Sequence, residues 1–308
     1  MSDTAVYQDD LMTQFLAANP QVGRLIWFTV DDGPVDQNAW LQGIVDVGLA
    51  SYGTPPGVPA TTAYLRGLRA MQQAVPSRTL VRCVERERGR TVHHWIKETI
   101  VNGHVDFRAL AAIERRTTGT PADVINTRRL DTLSASEDEA LGRLQTYIDT
   151  ARAMYTPGDR RRQVRRWLAN AGALQMVAAG PVQFVPEGAA GLIEAMSQAQ
   201  ETLGMQIWSM PLTRSSDVVA TLTQSLDAEV TRKTAALLKS VQEANAAGKT
   251  PTLRQQTKVV EQMQDLDARV QHYASMLGTE MDVLTDQIGL AKKAVRGMLI
   301  AQGSASDL

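Results

Sequence analysis

Near the end of the chain, apolar residues recur with a spacing that fixes a geometry by itself. Val259, Met263, Leu266, Val270, Tyr273, Leu277, Met281, Leu284, Ile288, Ala291, Val295 and Met298 step by four and three in alternation, which is the seam of a heptad repeat. The alternation slips once, where Leu277 to Met281 adds a second four-residue step beside Gly278. Such a stutter locally unwinds a left-handed supercoil. Read as one helix, Thr252 to Ala301 is roughly 70 Å long and needs a partner helix. The preceding segment supplies it, with Leu222, Leu226, Val230, Leu237, Val241 and Ala244 as the stripe of a helix from about Asp217 to Ala246. NAAGKTPT turns the chain between them, Gly248 and Pro251 being stop and start signals. The pattern predicts an antiparallel coiled-coil hairpin whose second arm overhangs the first by roughly five turns. The overhang leaves apolar seam exposed for a neighbouring surface.

Upstream, the periodicity changes. Leu11, Met12, Phe15 and Leu16 form one short amphipathic stretch ending at Pro20, and VGRLIWFTV from Val22 reads as a strand that stops at Asp31-Asp32-Gly33-Pro34. Asp36 caps a predicted helix carrying Trp40, Leu41, Ile44, Val45 and Leu49, and a second helix follows around Ala63 to Gln73. Arg78 to Arg116 reads as strands, with Asn102-Gly103 between two alternating runs as a hairpin turn. That turn sets a register in which Ile100 faces Val105, Glu98 faces Phe107, Ile96 faces Ala109, His94 faces Ala111 and Val92 faces Ile113, the expected core side. The other side carries His93, Lys97, Thr99, Asp106, Arg108 and Glu114, with Trp95 and Leu110 as apolar exceptions. An antiparallel sheet of about four strands with helices on one face follows, an α+β head.

Ser136 is the expected cap of a helix with Leu141, Leu144, Ile148 and Met154 at helical spacing, and TPGD ends it. A short basic helix, DRRRQVRRWLANAG, and two short alternating runs about Gly180-Pro181 come next. Helix, helix, hairpin is the order of a winged-helix unit. A helix over Ala189 to Leu203 and a strand, MQIWSMPL, complete the middle. The expected organisation is thus an α+β antiparallel-sheet domain over 1–133, a winged-helix-like domain over 134–214 and a helical hairpin over 215–308.

Composition narrows the classes. The 308 residues are 44% hydrophobic, enough to bury a core, and the formal net charge of −1 gives no whole-molecule attraction to nucleic acid or anionic lipid. The single cysteine, Cys83, excludes an intrachain disulfide and most structural zinc sites. MSDTAVYQDDLMTQF carries acidic residues where a signal peptide carries basic ones, and no run of about 18 apolar residues occurs. A soluble, cytoplasmic protein without membrane contact is expected.

Chemical motifs are scarce. Gly248-Lys249-Thr250 lacks the upstream glycine of a phosphate-binding loop, Glu243 standing in its place, and follows a helix rather than a strand. No GxGxxG, HExxH or GxSxG pattern occurs. His93 and His94 fall on opposite faces, with His104 at the turn and His272 beside the helical seam, so no metal site and no cofactor is expected. Asp31 and Asp32 are read as turn residues in preference to a Mg²⁺ site, Glu98 as a rim carboxylate or an arginine's partner, and Cys83 as an inert small side chain. The candidate site is the basic helix, where Arg160, Arg161, Arg162, Arg165 and Arg166 precede a β-wing, the position from which winged helices contact phosphates and bases.

GPVQFVPEG and VQHYASMLGTEMDVLTDQI, with a looser echo in WIKETIVNGHVDF, resemble an uncharacterised bacterial and phage-associated family in which a GGVYFVP-like strand precedes two long helices with a Y-x-x-x-L-G element. Ala179-Gly180-Pro181-Val182-Gln183-Phe184 departs from that family's double glycine and tyrosine. The resemblance implies no catalytic residues and a phage or mobile-element setting. The expected function is that of a non-enzymatic assembly protein that binds itself or a larger complex through the seam Val259, Met263, Leu266, Val270, Tyr273, Leu277, Met281, Leu284, Ile288 and Val295. The alternative is a nucleic-acid-binding protein that uses the arginine helix and wing.

Overall fold

The computed structural model describes residues 20–101, 104–117, 123–177, 180–246 and 252–303. In chain order its elements are strands β1 (Gln21–Val30) and β2 (Val35–Asp36), helices α1 (Gln37–Asp46) and α2 (Ala60–Gln73), and strands β3 (Thr79–Glu87), β4 (Arg90–Val101), β5 (His104–Arg116) and β6 (Val124–Arg129). Helices α3 (Ala135–Gly142) and α4 (Leu144–Ala153), strand β7 (Met154–Tyr155), helix α5 (Pro157–Asn170) and strands β8 (Leu174–Gln175) and β9 (Gln183–Pro186) follow. Helices α6 (Ala190–Gln198) and α7 (Gln200–Leu203), strand β10 (Met205–Thr213) and helices α8 (Ser216–Ala246), α9 (Leu253–Leu277) and α10 (Asp282–Gly303) complete the α+β fold. The chain forms two compact units, one of Val30–Gln163 and one that joins the described residues before Val30 to those from Val164 onward. The expected boundaries at 133 and 214 are not followed, because β1 pairs antiparallel with β9 and shares one sheet, in the order β10-β1-β9-β8, with strands from the middle of the chain. The hairpin behind the basic helix is therefore part of a four-stranded sheet and not a free wing.

In the Val30–Gln163 unit, β3, β4, β5 and β6 form an antiparallel sheet in that order. The register runs as the turn predicts from Val101↔His104 to Ile96↔Ala109 and then shifts at a bulge, so that Trp95 faces Ala111, His94 faces Ala112 and Val92 faces Glu114. The extra residue, Leu110, bends the strand and reverses which side of it is apolar. The core lies on the Trp95 side, where Trp95, Leu110, Ala111 and Ile113 pack on Tyr64, Leu68 and Met71 of α2 and on Leu141, Leu144 and Ile148. The side expected to be buried is instead exposed at Ile100, Val105 and Phe107. Gly67 lets α2 approach α4, since a Cβ there would stand 2.5 Å from Ile148. Two helix starts are set by local chemistry: Asp36 accepts from Ala39 N at 2.9 Å, and Ser134, not Ser136, makes a capping box with Glu137.

The other unit places three helices against its sheet. Gly278, at φ +57°, ends α9 through a left-handed cap whose N–H groups return to Ala274 and Ser275, so the expected single rod is two helices. Asp267 of α9 pairs with Lys292 of α10 at 2.6 Å, which makes those helices antiparallel about the Gly278 turn. Gln287 of α10 donates to Thr231 of α8 at 3.1 Å, and Arg269 of α9 reaches Glu229 of α8 at 3.5 Å. The result is an up-down-up bundle. Its interior joins Leu222, Leu226 and Val230 to Leu266, Val270, Tyr273, Leu277, Leu284 and Ile288, closed by Val22, Leu174 and Phe184 of the sheet.

Candidate interaction surfaces

Tyr273, Leu277 and Gly278, the Y-x-x-x-L-G element, act at the end of α9. The Tyr273 hydroxyl donates to Gly172 O at 2.8 Å and its ring lies 6.1 Å from that of Phe184. Burial, opposed by the nearby Arg269 cation, pushes the phenol's pKa well above its ordinary value. Arg214, at the end of β10, donates to Leu277 O at 2.7 Å, a cation on the carbonyl end of a helix. These residues build the bundle's junction with its sheet.

The seam itself is internal. Met263, Leu266, Val270, Tyr273, Leu277, Met281, Leu284, Ile288 and Val295 are all buried, and Val259 packs beside Met263, Ala291 and Val295. Once α10 turns back along α9, the apolar positions of both helices cover one another and α8, so among the described residues no overhang of the kind expected remains.

The basic helix divides by phase. Arg160 is 1% exposed. Its guanidinium donates to Asp31 O at 2.8 Å and Gly33 O at 2.9 Å, so it clamps the turn after β1 and is unavailable to a polyanion. Burial, with the neighbouring Arg161 charge, lowers its pKa against the pull of Asp31. Val164, Trp167 and Leu168 are buried on the same side. Arg161, Arg162, Arg165 and Arg166 are exposed and, at 3.6 residues per turn, occupy about 140° of the helix surface. Asp159 at the first turn is held by Thr156 N at 3.0 Å and by Arg66 at 2.7 Å, and Arg162 reaches it at 3.4 Å. Thr156 and Asp159 also cap α5 reciprocally, Asp159 N donating to Thr156 Oγ1 at 3.3 Å.

A third surface was not anticipated from the pattern. β4 and β5 are 12 and 13 residues long, whereas β3 and β6 are 9 and 6. Beyond Lys97, which pairs with Thr79, the hairpin continues as a two-stranded ribbon. Ile100 (72% exposed), Val105 (52%) and Phe107 (53%) stand on one face of it, Ile100 opposite Val105 and Glu98 opposite Phe107. Glu98 pairs with Arg78 at 3.0 Å, and the Arg82 guanidinium lies 5.7 Å over the Phe107 ring. The unequal strand lengths were the legible signal.

The remaining candidates do not converge. His93 is buried rather than solvated and bonds Tyr64, His104 and His272 are exposed, and among the described residues no group of three His, Cys, Asp or Glu side chains could hold a metal ion. Asp31 and Asp32 are exposed at the turn, and Cys83 is exposed with its thiol 3.5 Å from Glu85 O. Asn102-Gly103, Gly248-Lys249-Thr250, Met298 and the stretch Leu11 to Leu16 lie outside the residues whose side chains are described. Trp27 and Trp208 stack at 6.3 Å with both rings exposed. A cavity of about 350 Å³ at the α9–α10 turn is lined by Gln271, Gly278, Glu280, Asp282 and Thr285. No described helix is long and apolar enough to cross a membrane.

No curated protein and no solved structure matches the chain. One family model does, over residues 21–305, almost the whole of the described fold. The chain therefore belongs to DUF6744, a family of unknown function.

Proposed function

We propose that this is a non-enzymatic assembly protein that docks through the apolar ribbon of β4 and β5, with a second copy or a larger protein complex as partner. The supporting observation is the cross-strand cluster Ile100, Val105 and Phe107, each more than half exposed although the helical seam in the same chain is covered. Side chains of this size at adjacent positions on a ribbon gain from a protein surface that removes them from water, at about 25 cal/mol per Å². The charge beside them is already balanced, Glu98 by Arg78, so a partner meets no unpaired carboxylate there. Light scattering across a concentration series tests the self-association arm. The parent is expected to rise above its 33.6 kDa monomer mass, and an Ile100→Ser/Phe107→Ser variant to stay monomeric. A parent that remains monomeric at all concentrations and in chemical cross-linking of its native host lysate rejects the reading.

A second reading rests on α5, whose exposed side carries Arg161, Arg162, Arg165 and Arg166 while the one acid in its first turn is engaged. Successive arginines in each row rise by about 6 Å, so the four present a compact cationic patch to a polyanion. Replacing all four by alanine is expected to reduce nucleic-acid affinity and to flatten its salt dependence by nearly one unit of log–log slope per lost contact. Absence of binding by the parent at low salt ends this reading.

A further inference from the structure

We propose that the hydrogen bond between Tyr64 and His93 is an acid-sensitive latch that holds α2 on the sheet of the Val30–Gln163 unit. The proposal is independent of either docking surface. His93 on β4 is 5% exposed and Tyr64 on α2 is 1% exposed, with Tyr64 Oη 3.0 Å from His93 Nδ1 and the rings edge to face at 5.4 Å. A neutral imidazole that accepts at Nδ1 carries its proton on Nε2. The hydroxyl has one proton to give, and the other acceptor within reach, Ile113 O, is 3.5 Å away. Proton uptake at Nδ1 turns that acceptor into a donor, so Tyr64 must rotate its hydroxyl toward the long Ile113 contact or lose the bond.

The surroundings oppose the charged ring. Across the sheet His93 faces Cys83 on β3 and Ile113 on β5, and α2 covers it with Tyr64. The charged groups nearby are Arg86 on β3 and Arg115 on β5. Arg115 lies 5.7 Å over the Tyr64 ring, and the carboxylate beside it, Asp123, is already bound to it at 2.6 Å. Burial first, then the Arg86 and Arg115 cations, push the imidazole's pKa below its ordinary value. A group whose folded pKa is depressed in this way and which gains charge on protonation takes up more protons unfolded than folded. The latch is therefore fully closed above about pH 6.5, and the unfolding constant rises by up to tenfold for each pH unit below that, until the folded-state pKa is reached. Glu137, held at about 2, titrates far below this window.

The test is urea denaturation between pH 7.5 and 5.0 of the full chain with Trp27, Trp40, Trp167 and Trp208 replaced by Phe, followed by fluorescence of the remaining Trp95, which is buried in the same core. The parent midpoint is expected to fall with a one-proton dependence, and His93→Gln, whose amide oxygen accepts from Tyr64 without titrating, to remove most of that dependence. The imidazole resonance of His93 in the parent, followed by NMR, is expected to titrate well below pH 6.5, and this measurement decides the matter if the variant does not fold. Titration of His93 at or above 6.5, or an unchanged pH slope in His93→Gln, overturns the latch.

Discussion

The helical bundle and the four-stranded sheet each contain one slip in an otherwise regular repeat, and the slips act on different scales. At Leu277–Met281 an extra four-residue step coincides with a left-handed glycine, and the whole backbone reverses direction. At Leu110 one unpaired residue leaves the backbone running on, but it inverts the alternation of β5, so that Ala111 and Ile113 face the core whereas Val105 and Phe107 stand on the opposite face. A continuous helix can absorb such a slip by local unwinding, but here the left-handed Gly278 ends α9 instead. A strand has just two faces, and a slip of one is a full inversion.

The comparison breaks most directly at Trp95. Trp95→Ala removes a large, fully buried side chain and is expected to cost about 3–5 kcal/mol in urea denaturation, whereas Phe107→Ser, on the side that simple alternation would bury, is expected to stay within about 0.5 kcal/mol. Equal losses would mean that the bulge does not select the core face. At the helical slip, Gly278→Ala sets a methyl 2.5 Å from the Arg214 guanidinium at a left-handed φ and is expected to cost about 1–2 kcal/mol. Gly289→Ala, within α10 and with nothing near its Cβ, is expected to stabilise by about 0.4–1 kcal/mol. A stabilising Gly278→Ala would mean that the reversal does not depend on the glycine.

The smallest effect sharpens the sheet side. Lys97, the last residue of β4 to pair with β3, reaches Glu137 at 2.7 Å. Burial works to raise that carboxyl's pKa, but hydrogen bonds from Lys97, Ser134 and Ser77 outweigh it and hold it at about 2. Because the folded value is depressed, the contribution is present above the ordinary pKa of 4.5 and is lost as pH falls from there toward 2. The thermal midpoint of Glu137→Gln should decline less steeply over that range than the parent's, the rest of the slope belonging to Glu114, Asp131 and Asp159, whose pKa values are also lowered. Parallel curves would remove Glu137 as the anchor at the ribbon's base.

Much of this was readable before the fold. The Asn102-Gly103 turn gave the correct pairing as far as Ile96↔Ala109, and Asp36 and the stripe from Leu222 marked the start of α1 and the course of α8. The bulge was hidden because Ala109-Leu110-Ala111-Ala112 is apolar throughout, so either phase satisfies it. Gly278 stands beside a stutter of one long repeat in the sequence, and the helix end is hidden because the apolar positions resume on the far side. Arg160 carried a signal that its charge obscured. It lies four residues before Val164 and seven before Trp167, which is the inward phase of α5. The ribbon at Ile100, Val105 and Phe107 required the lengths of four strands together, a property of the sheet and not of any one segment.

The pairing of β1 with β9, Gly23 opposite Pro186, and the bond from Arg214 N to Pro20 O at 3.0 Å give the second unit a temporal asymmetry. A ribosome delivers β1 first and its neighbours more than 150 residues later, so that strand waits with open edges while Val30–Gln163 is made and can close around its own core. The α8, α9 and α10 contacts span fewer residues than the β1–β9 pairing, 56 between Thr231 and Gln287, and assemble sooner after their synthesis. Nascent-chain proteolysis is expected to find the inserted unit protected early and β1 cleavable until β10 has emerged.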